Sequence, residues 1–576
     1  KNNKNLDSED KNDNTQNRKR TRTNHKLATI IYNKNQTSLI HRITKQLSEQ
    51  KLKIISLMRN IYYLTKCEQA LNQYPALCQL GNLQFKNLNE LCYEAEPQVL
   101  KLNLLFSDNI TLKWTYSSYK NLSLMIDKST LFTAKHLAIV SKYISKNNSV
   151  LYYLGLVELD DCSAEAIMED LKRFITTKSI DINNLIHFGS DSASTMLEKQ
   201  TGIATRLKKI NLYITENHCI AHHLHLACKD VTKEVQYFQK YEKIVKGIYL
   251  YFSSSYKRLL ALKLVQNNLN EPELVLLNII STRWLFFSNV IHNFYQSLES
   301  VKGALLDKAS NNFQALELLS SIDEEFELAT MFLADLFFIL SKLICIFQSD
   351  YVSFLDIQCN IDITIQAIQV QFIGNNQILP TYGQISLEYI KNNNINILLS
   401  FVSEFSLAII KNLEKRFPNR ELYYAMRIFD PQELPESDNN LANYENIEIN
   451  ILGDFYGNDK IIGKKKFTTL LNKRVLFFLK NYHSLKFTDA WHFIFSRTSF
   501  ISDYFTISTL VHICLIVPIS NANVERVFSQ QKLIKSRLQN QMTIQTLNDH
   551  LMVVLNGPPI QLFNFEKAFE YWFLKE

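Results

Sequence analysis

Near residue 116 the spacing of apolar side chains changes, and this change limits the possible folds more than any other feature of the chain. Upstream, Leu52, Ile55, Leu57, Met58, Ile61 and Leu64 recur at the three-and-four spacing of a helix face. Downstream, NLSLMID (121–127), LAIVSKYI (137–144) and LYYLGLVEL (151–159) are strand-length apolar runs, partly β-branched or aromatic. Three strands in succession are expected. Ser163 can then cap a helix whose stripe is Ala164, Ile167, Met168, Leu171 and Ile175, and NLIHFGS (184–190) returns to strand character. Strand, strand, strand, helix, strand, helix is an order open to many α/β sheets.

At 576 residues the chain is too long for one core. With 12 glycines and 10 prolines there is little to interrupt long helices, and residues 235–485 read as helical stretches between Asn-rich loops. The expected organisation is a disordered basic tail (1–37), a helical domain (38–115), the first part of an α/β core (116–234), an all-helical segment (235–485) and a closing region (486–576). In the closing region, Ala522 to Leu538 and Met542 to Leu555 carry helical patterning, and Gly557, Pro558 and Pro559 end it. The run Leu551 to Leu555 is apolar all round, so part of it is expected to meet a second copy of the chain or the helical segment.

The most apolar run, Met331 to Phe347, contains Asp335 and Lys342 and falls short of the roughly 20 residues needed to cross a bilayer. It reads as a buried helix, and no membrane partner is expected. The nine cysteines are scattered without a CxxC pair, as thiols in a reducing compartment would be. Lys and Arg number 63 against 56 Asp and Glu, an excess of +7 that suits a polyanionic partner without requiring one. In the tail, Arg18, Lys19, Arg20 and Arg22 form a cluster readable as a nuclear import signal, a phosphate-contacting arm or a solvated charge run.

Asp127 stands at the expected end of the first strand and Asp191 just after the fourth, 64 positions apart (191 minus 127). If those strands are neighbours, the two carboxylates converge, as a hard divalent cation requires. The other reading makes each a strand terminator or a helix cap, a role that Asp191 before SASTM fits well.

The stretches SLMIDKST, HFGSDSASTM, TGIATRLKKI and NHCIAHHLHLACKD, then STRW (281–284) and NANVERVFSQQKLIKSRL (521–538), together resemble the hAT superfamily of transposases. The resemblance implies a ribonuclease-H-like α/β core interrupted by a large all-α insertion, with an N-terminal helical region, and a C-terminal dimerisation region. It implies Asp127, Asp191 and Glu525 as three acids binding two Mg²⁺ or Mn²⁺ ions for DNA strand cleavage and transfer. It also implies DNA and a homo-dimer or higher oligomer as partners, and a nuclear location. The alternative is a domesticated, inactive relative that binds DNA and dimerises.

By the same resemblance Trp284 stacks on a displaced base, with Arg283 at the adjacent phosphate; a plain core tryptophan is the competing reading. Cys219 and His222 match the family's C-x-x-H element. Four more histidines and cysteines crowd that segment, but six such residues on one short helix point in several directions, which argues against zinc. The chain departs from the family in reading DKST where an acid often follows the aspartate, and DSAS where DGAS is common. These 576 residues contain no N-terminal cysteine and histidine finger for recognising DNA ends.

Overall fold

The computed structural model describes residues 26, 48, 50–69, 73–84, 106–107, 110, 121–131, 133–191, 193–198, 200–278, 284–349, 353–374, 379–393, 400–417, 421–435, 446–457, 478–535 and 542–575. The chain forms two units, Thr115–Ser529 and a second made of Lys1–Trp114 with Gln530–Glu576.

The larger unit is built on a mixed sheet of five strands: β1 (Leu122–Leu131), β2 (Ala134–Ser145), β3 (Asn148–Leu159), β4 (Leu185–Ser190) and β5 (Thr215–His218). Their spatial order is β3-β2-β1-β4-β5. The first three form antiparallel pairs, while β4 lies parallel to β1 and β5 parallel to β4. The β2–β3 turn uses two residues with positive φ, Lys146 (48°) and Asn147 (69°), as a tight hairpin between right-twisted strands needs. Four strands stand where the apolar runs place them. The fifth, Thr-Glu-Asn-His, carries no apolar run to announce it.

Ser163 caps the helix Ala164–Thr177 by accepting the Ala166 N–H, and Ile167, Met168, Leu171 and Ile175 are buried as expected. From Ile220 to Phe528 the described residues form helices and loops without a strand. The central helix, Glu324–Phe347, begins earlier than its apolar run and is long and apolar enough to cross a membrane. It is nevertheless a core helix, because 67% of its apolar window is buried. Asp335 is tolerated inside it because its carboxylate accepts Ser386 N–H (2.8 Å), Ser386 Oγ–H (2.6 Å) and Ile385 N–H (3.2 Å). Those donors sit in the first turn of the helix Gln384–Asn393, where backbone N–H groups lack partners within the helix.

After this excursion the chain returns to the sheet through the helices Phe487–Phe495 and Phe505–Leu515. Ser123 Oγ of β1 donates to the Ile516 carbonyl, and His187 Nε2 of β4 meets the Ile513 carbonyl at 3.0 Å.

In the smaller unit, residues 50–66 are helical and meet the helices Ile544–Asn556 and Phe565–Lys575. Tyr62 packs among Phe106, Phe563 and Phe565 and donates its hydroxyl to the Pro558 carbonyl (2.7 Å). Lys66 Nζ donates to the carbonyls of Val554 and Gly557, both at 2.6 Å, placing a cation on the negative end of the helix Ile544–Asn556. This packing corrects one expectation. Leu551, Met552 and Val553 are buried within the chain itself, Val553 with 0% exposure, so this part of the apolar run is not an outer surface. Pro75 lies in the first turn of Tyr74–Gln84, where it removes no helical hydrogen bond.

Candidate active site

Asp127 is the sixth residue of β1, not its last: the strand continues to Leu131 in its pairing with β2. The parallel ladder with β4 ends earlier, at Met125 opposite Gly189. From there Asp127 projects beyond the β1–β4 pairing while still held by β2. The register Leu124–Phe188 and Met125–Gly189 has the same 64-residue offset that separates Asp127 from Asp191. Asp127 lies two residues beyond the last β1 residue paired with β4, and Asp191 two residues beyond the last β4 residue paired with β1. The neighbourhood that the spacing required is therefore present.

Asp127 Oδ1 accepts the Lys128 N–H at 2.8 Å, and Lys128 Nζ donates to Thr195 Oγ1 at 3.0 Å, tying β1 to the segment after Asp191. Asp191 Oδ1 accepts the Ala193 N–H at 3.3 Å, a local turn bond ahead of the short helix Ser194–Leu197. This bond closes a turn before the helix and is not a helix cap, and it occupies one carboxylate oxygen. Gly189 lets the returning chain lie close: a Cβ there would stand 3.1 Å from both Met125 Cγ and Pro518 Cβ.

Glu525 lies in the first turn of the helix Ala522–Ile534 and is half-buried. Its neighbour Arg526 is exposed and donates to Asn523 Oδ1 (2.8 Å) and the Gln348 carbonyl (3.3 Å). What fixes the start of this helix is Asn521, a buried residue that the sequence reading passed over. Its Nδ2 donates to the Ile126 carbonyl (2.9 Å), its backbone N–H donates to Cys219 Sγ (3.3 Å), and its carbonyl accepts the Glu525 N–H (3.0 Å). Ile126 immediately precedes Asp127, so Glu525 begins one helical turn from a residue bonded to the root of the first aspartate. The available clue was an asparagine just ahead of a helix, a common position for that residue.

The C-x-x-H element belongs to the same join. Cys219 precedes the helix Ile220–Glu234, and burial pushes its thiol pKa up, which suits a neutral acceptor for Asn521. His222 is partly buried, and burial lowers its pKa, while the negative charges of Asp191 and Glu525 both pull it upward. One imidazole is therefore within electrostatic reach of both acids.

Among the described residues no three His, Cys, Asp or Glu side chains stand as a group that could hold a metal ion. The histidines beyond His222 make other contacts: His223 Nδ1 meets the Arg416 carbonyl at 2.9 Å, and the rings of His218 and His223 lie 4.8 Å apart, edge to face. Trp284 opens the helix Trp284–Gln296. Arg283 and the tail residues Arg18, Lys19, Arg20 and Arg22 lie outside the described residues.

No curated protein matches the chain. Residues 487–557 match the family model described as the hAT family C-terminal dimerisation region, a span running from the helix Phe487–Phe495 through Glu525 to Gly557. That match includes the returning segment and the helix carrying Glu525, so this part of the chain is similar to the dimerisation region of the hAT family.

Proposed function

We propose that this chain is a hAT-type DNA transposase acting in the nucleus, with Asp127, Asp191 and Glu525 as the acids of a ribonuclease-H-like core. The single observation that carries the reading is the join at Asn521, which links the Glu525 helix to the residue before Asp127. The chain order β1-β2-β3, helix, β4, helices, β5 and the long helical span between β5 and Glu525 support a core interrupted by an insertion.

The donor set suits Mg²⁺ or Mn²⁺ in kind, since it consists of carboxylate oxygens without sulfur. Bound there, two such ions would activate a water or a DNA 3′-hydroxyl and stabilise the leaving oxygen. The chain's own part is positional. Asn521 and Cys219 fix where the Glu525 helix starts, Lys128 braces β1 against the loop after Asp191, and the β1–β4 register sets the spacing of the two aspartates. Trp284 and Arg283 are assigned to the displaced base and its phosphate, and the dimerisation region to self-association.

A second reading, a domesticated relative that binds DNA and dimerises without cutting, draws support from the absence of a closed ligand group among the described residues. A nicking and strand-transfer assay on supercoiled plasmid with Mg²⁺ or Mn²⁺ separates the two. For the enzyme, Asp127→Asn, Asp191→Asn and Glu525→Gln each reduce nicking to background, with thermal unfolding and sedimentation unchanged. A wild-type chain that binds DNA and self-associates but never nicks establishes the second reading. A single-acid variant that nicks at the full rate refutes the site assignment.

A further inference from the structure

A cavity of about 460 Å³ opens within the larger unit, where the end of β5 and the helix Ile220–Glu234 face the helices Phe354–Ile368 and Ser400–Arg416. Its volume lies within the range of small-molecule sites. It is distinct from the three proposed acids: His223 lines it, whereas His222, one position earlier on the same helix, feels the charges of Asp191 and Glu525.

The lining combines three kinds of chemistry. Phe417 and Tyr424 supply flat aromatic surface, and the Arg427 guanidinium lies 4.0 Å from the Tyr424 ring centre, extending that surface with a second planar group. Asp362 contributes a carboxylate acceptor. Asn217 contributes an amide that is only 4% exposed; its Oδ1 accepts the Tyr423 hydroxyl, and its Nδ2 has no protein partner. A buried amide donor left without an acceptor is costly, so a ligand that presents an acceptor there gains affinity by satisfying it.

The charges also limit the ligand. Arg427 pairs with Glu448 (3.3 Å) and Arg416 with Asp230, so neither cation is held in reserve for a free phosphate. Aromatic walls, an amide donor and a carboxylate acceptor together match a flat heteroaromatic ring with both acceptors and N–H groups on its edge. We propose that this cavity binds a nucleobase, stacked against Tyr424 and Phe417 and read on its edge by Asn217 and Asp362. The base can arrive as a free nucleoside or unpaired within a single strand, and both present the same ring chemistry. The inference does not depend on metal binding or cleavage by the three acids.

The test uses the full chain with two probes, 2-aminopurine riboside and a short single-stranded oligonucleotide carrying one 2-aminopurine, since stacking quenches this fluorophore. Saturable quenching is expected with at least one probe: the riboside alone indicates a free nucleoside, the oligonucleotide alone indicates an unpaired strand base, and both with mutual competition indicate one shared site. Tyr424 is 42% exposed, so Tyr424→Ala should keep the fold, and it is expected to weaken binding at least tenfold with no change in thermal unfolding. Asn217→Asp, which replaces the donor with an acceptor, should weaken it similarly. Absence of saturable quenching with either probe, or binding that both variants leave intact, overturns the proposal.

Discussion

His187 offers the sharpest test of how the returning chain is held to the sheet. It sits in β4, four residues before Asp191, fully buried, with Nε2 at 3.0 Å from the Ile513 carbonyl and Nδ1 against Thr215 Oγ1 of β5. A carbonyl can only accept, so Nε2 carries the proton and Nδ1 accepts from the threonine hydroxyl. Burial, aided by the positive charge of Lys142, lowers the imidazole pKa to about 4. The unfolded value is about 6.5. The unfolded chain therefore binds the extra proton between these values, so the stabilisation is fully present above pH 6.5 and is lost as the pH falls toward 4. Worked through the linkage relation, going from about pH 7.5 to about pH 5 removes roughly 2 kcal/mol through this one group. In His187→Gln, which keeps a side-chain N–H donor but cannot titrate, stability at neutral pH should be lower and its pH profile flatter. Urea unfolding of both proteins at several pH values gives the difference curve, in which other histidines whose pKa burial lowers, among them His512 and His550, cancel. Wild-type and variant profiles that run parallel from pH 7.5 to 5 would refute the assignment.

Two further perturbations test the packing. At Gly383 an added Cβ would stand 2.2 Å from Asp335 Cγ, so Gly383→Ala should destabilise the larger unit by about 1–3 kcal/mol in urea unfolding, and a neutral result would mean that Asp335 does not hold this turn. Val553→Asp should unfold the smaller unit, because it leaves an unpaired charge at a fully buried position. Circular dichroism and sedimentation check this together, and a folded but monomeric variant would restore Val553 to an interface between copies.

The four strands with apolar runs, the Ser163-capped helix and the buried helix around Asp335 were legible because each is specified locally, by a periodicity or a cap. The strand β5 was not, because its buried positions are Thr215 and Asn217, polar residues satisfied by tertiary bonds: Thr215 meets His187, and Asn217 accepts from Tyr423. The end of β1 was misplaced for a related reason. The change from apolar to polar at Asp127 marks where β4 stops pairing, whereas the strand itself is prolonged by its hairpin with β2. The covering of Val553 was equally invisible, since it comes from residues near position 60, almost five hundred positions away along the chain.

The acids themselves divide along the same line. The 64-residue spacing of Asp127 and Asp191 left convergence and a local capping role both open, and the β1–β4 register has the same offset. Glu525 has no such relation to either, and its position depends on a segment that must first find the sheet. The bonds that guide it are mostly to backbone carbonyls: Ile516 and Ile513 accept from β1 and β4 side chains, Ile126 accepts from Asn521, and Ile519 accepts the Ile220 N–H. Carbonyl partners leave no residue-type pattern, because every residue has one. The side chains that do the locating, Ser123, His187, Cys219 and Asn521, are buried polar groups scattered over four elements. Their common geometric role is to fix the returning segment, with Glu525 one helical turn further on, to β1, β4 and the start of the helix Ile220–Glu234. The chemistry proposed for the acids therefore depends on this join, and a fault there would impair the site with all three carboxylates still in place.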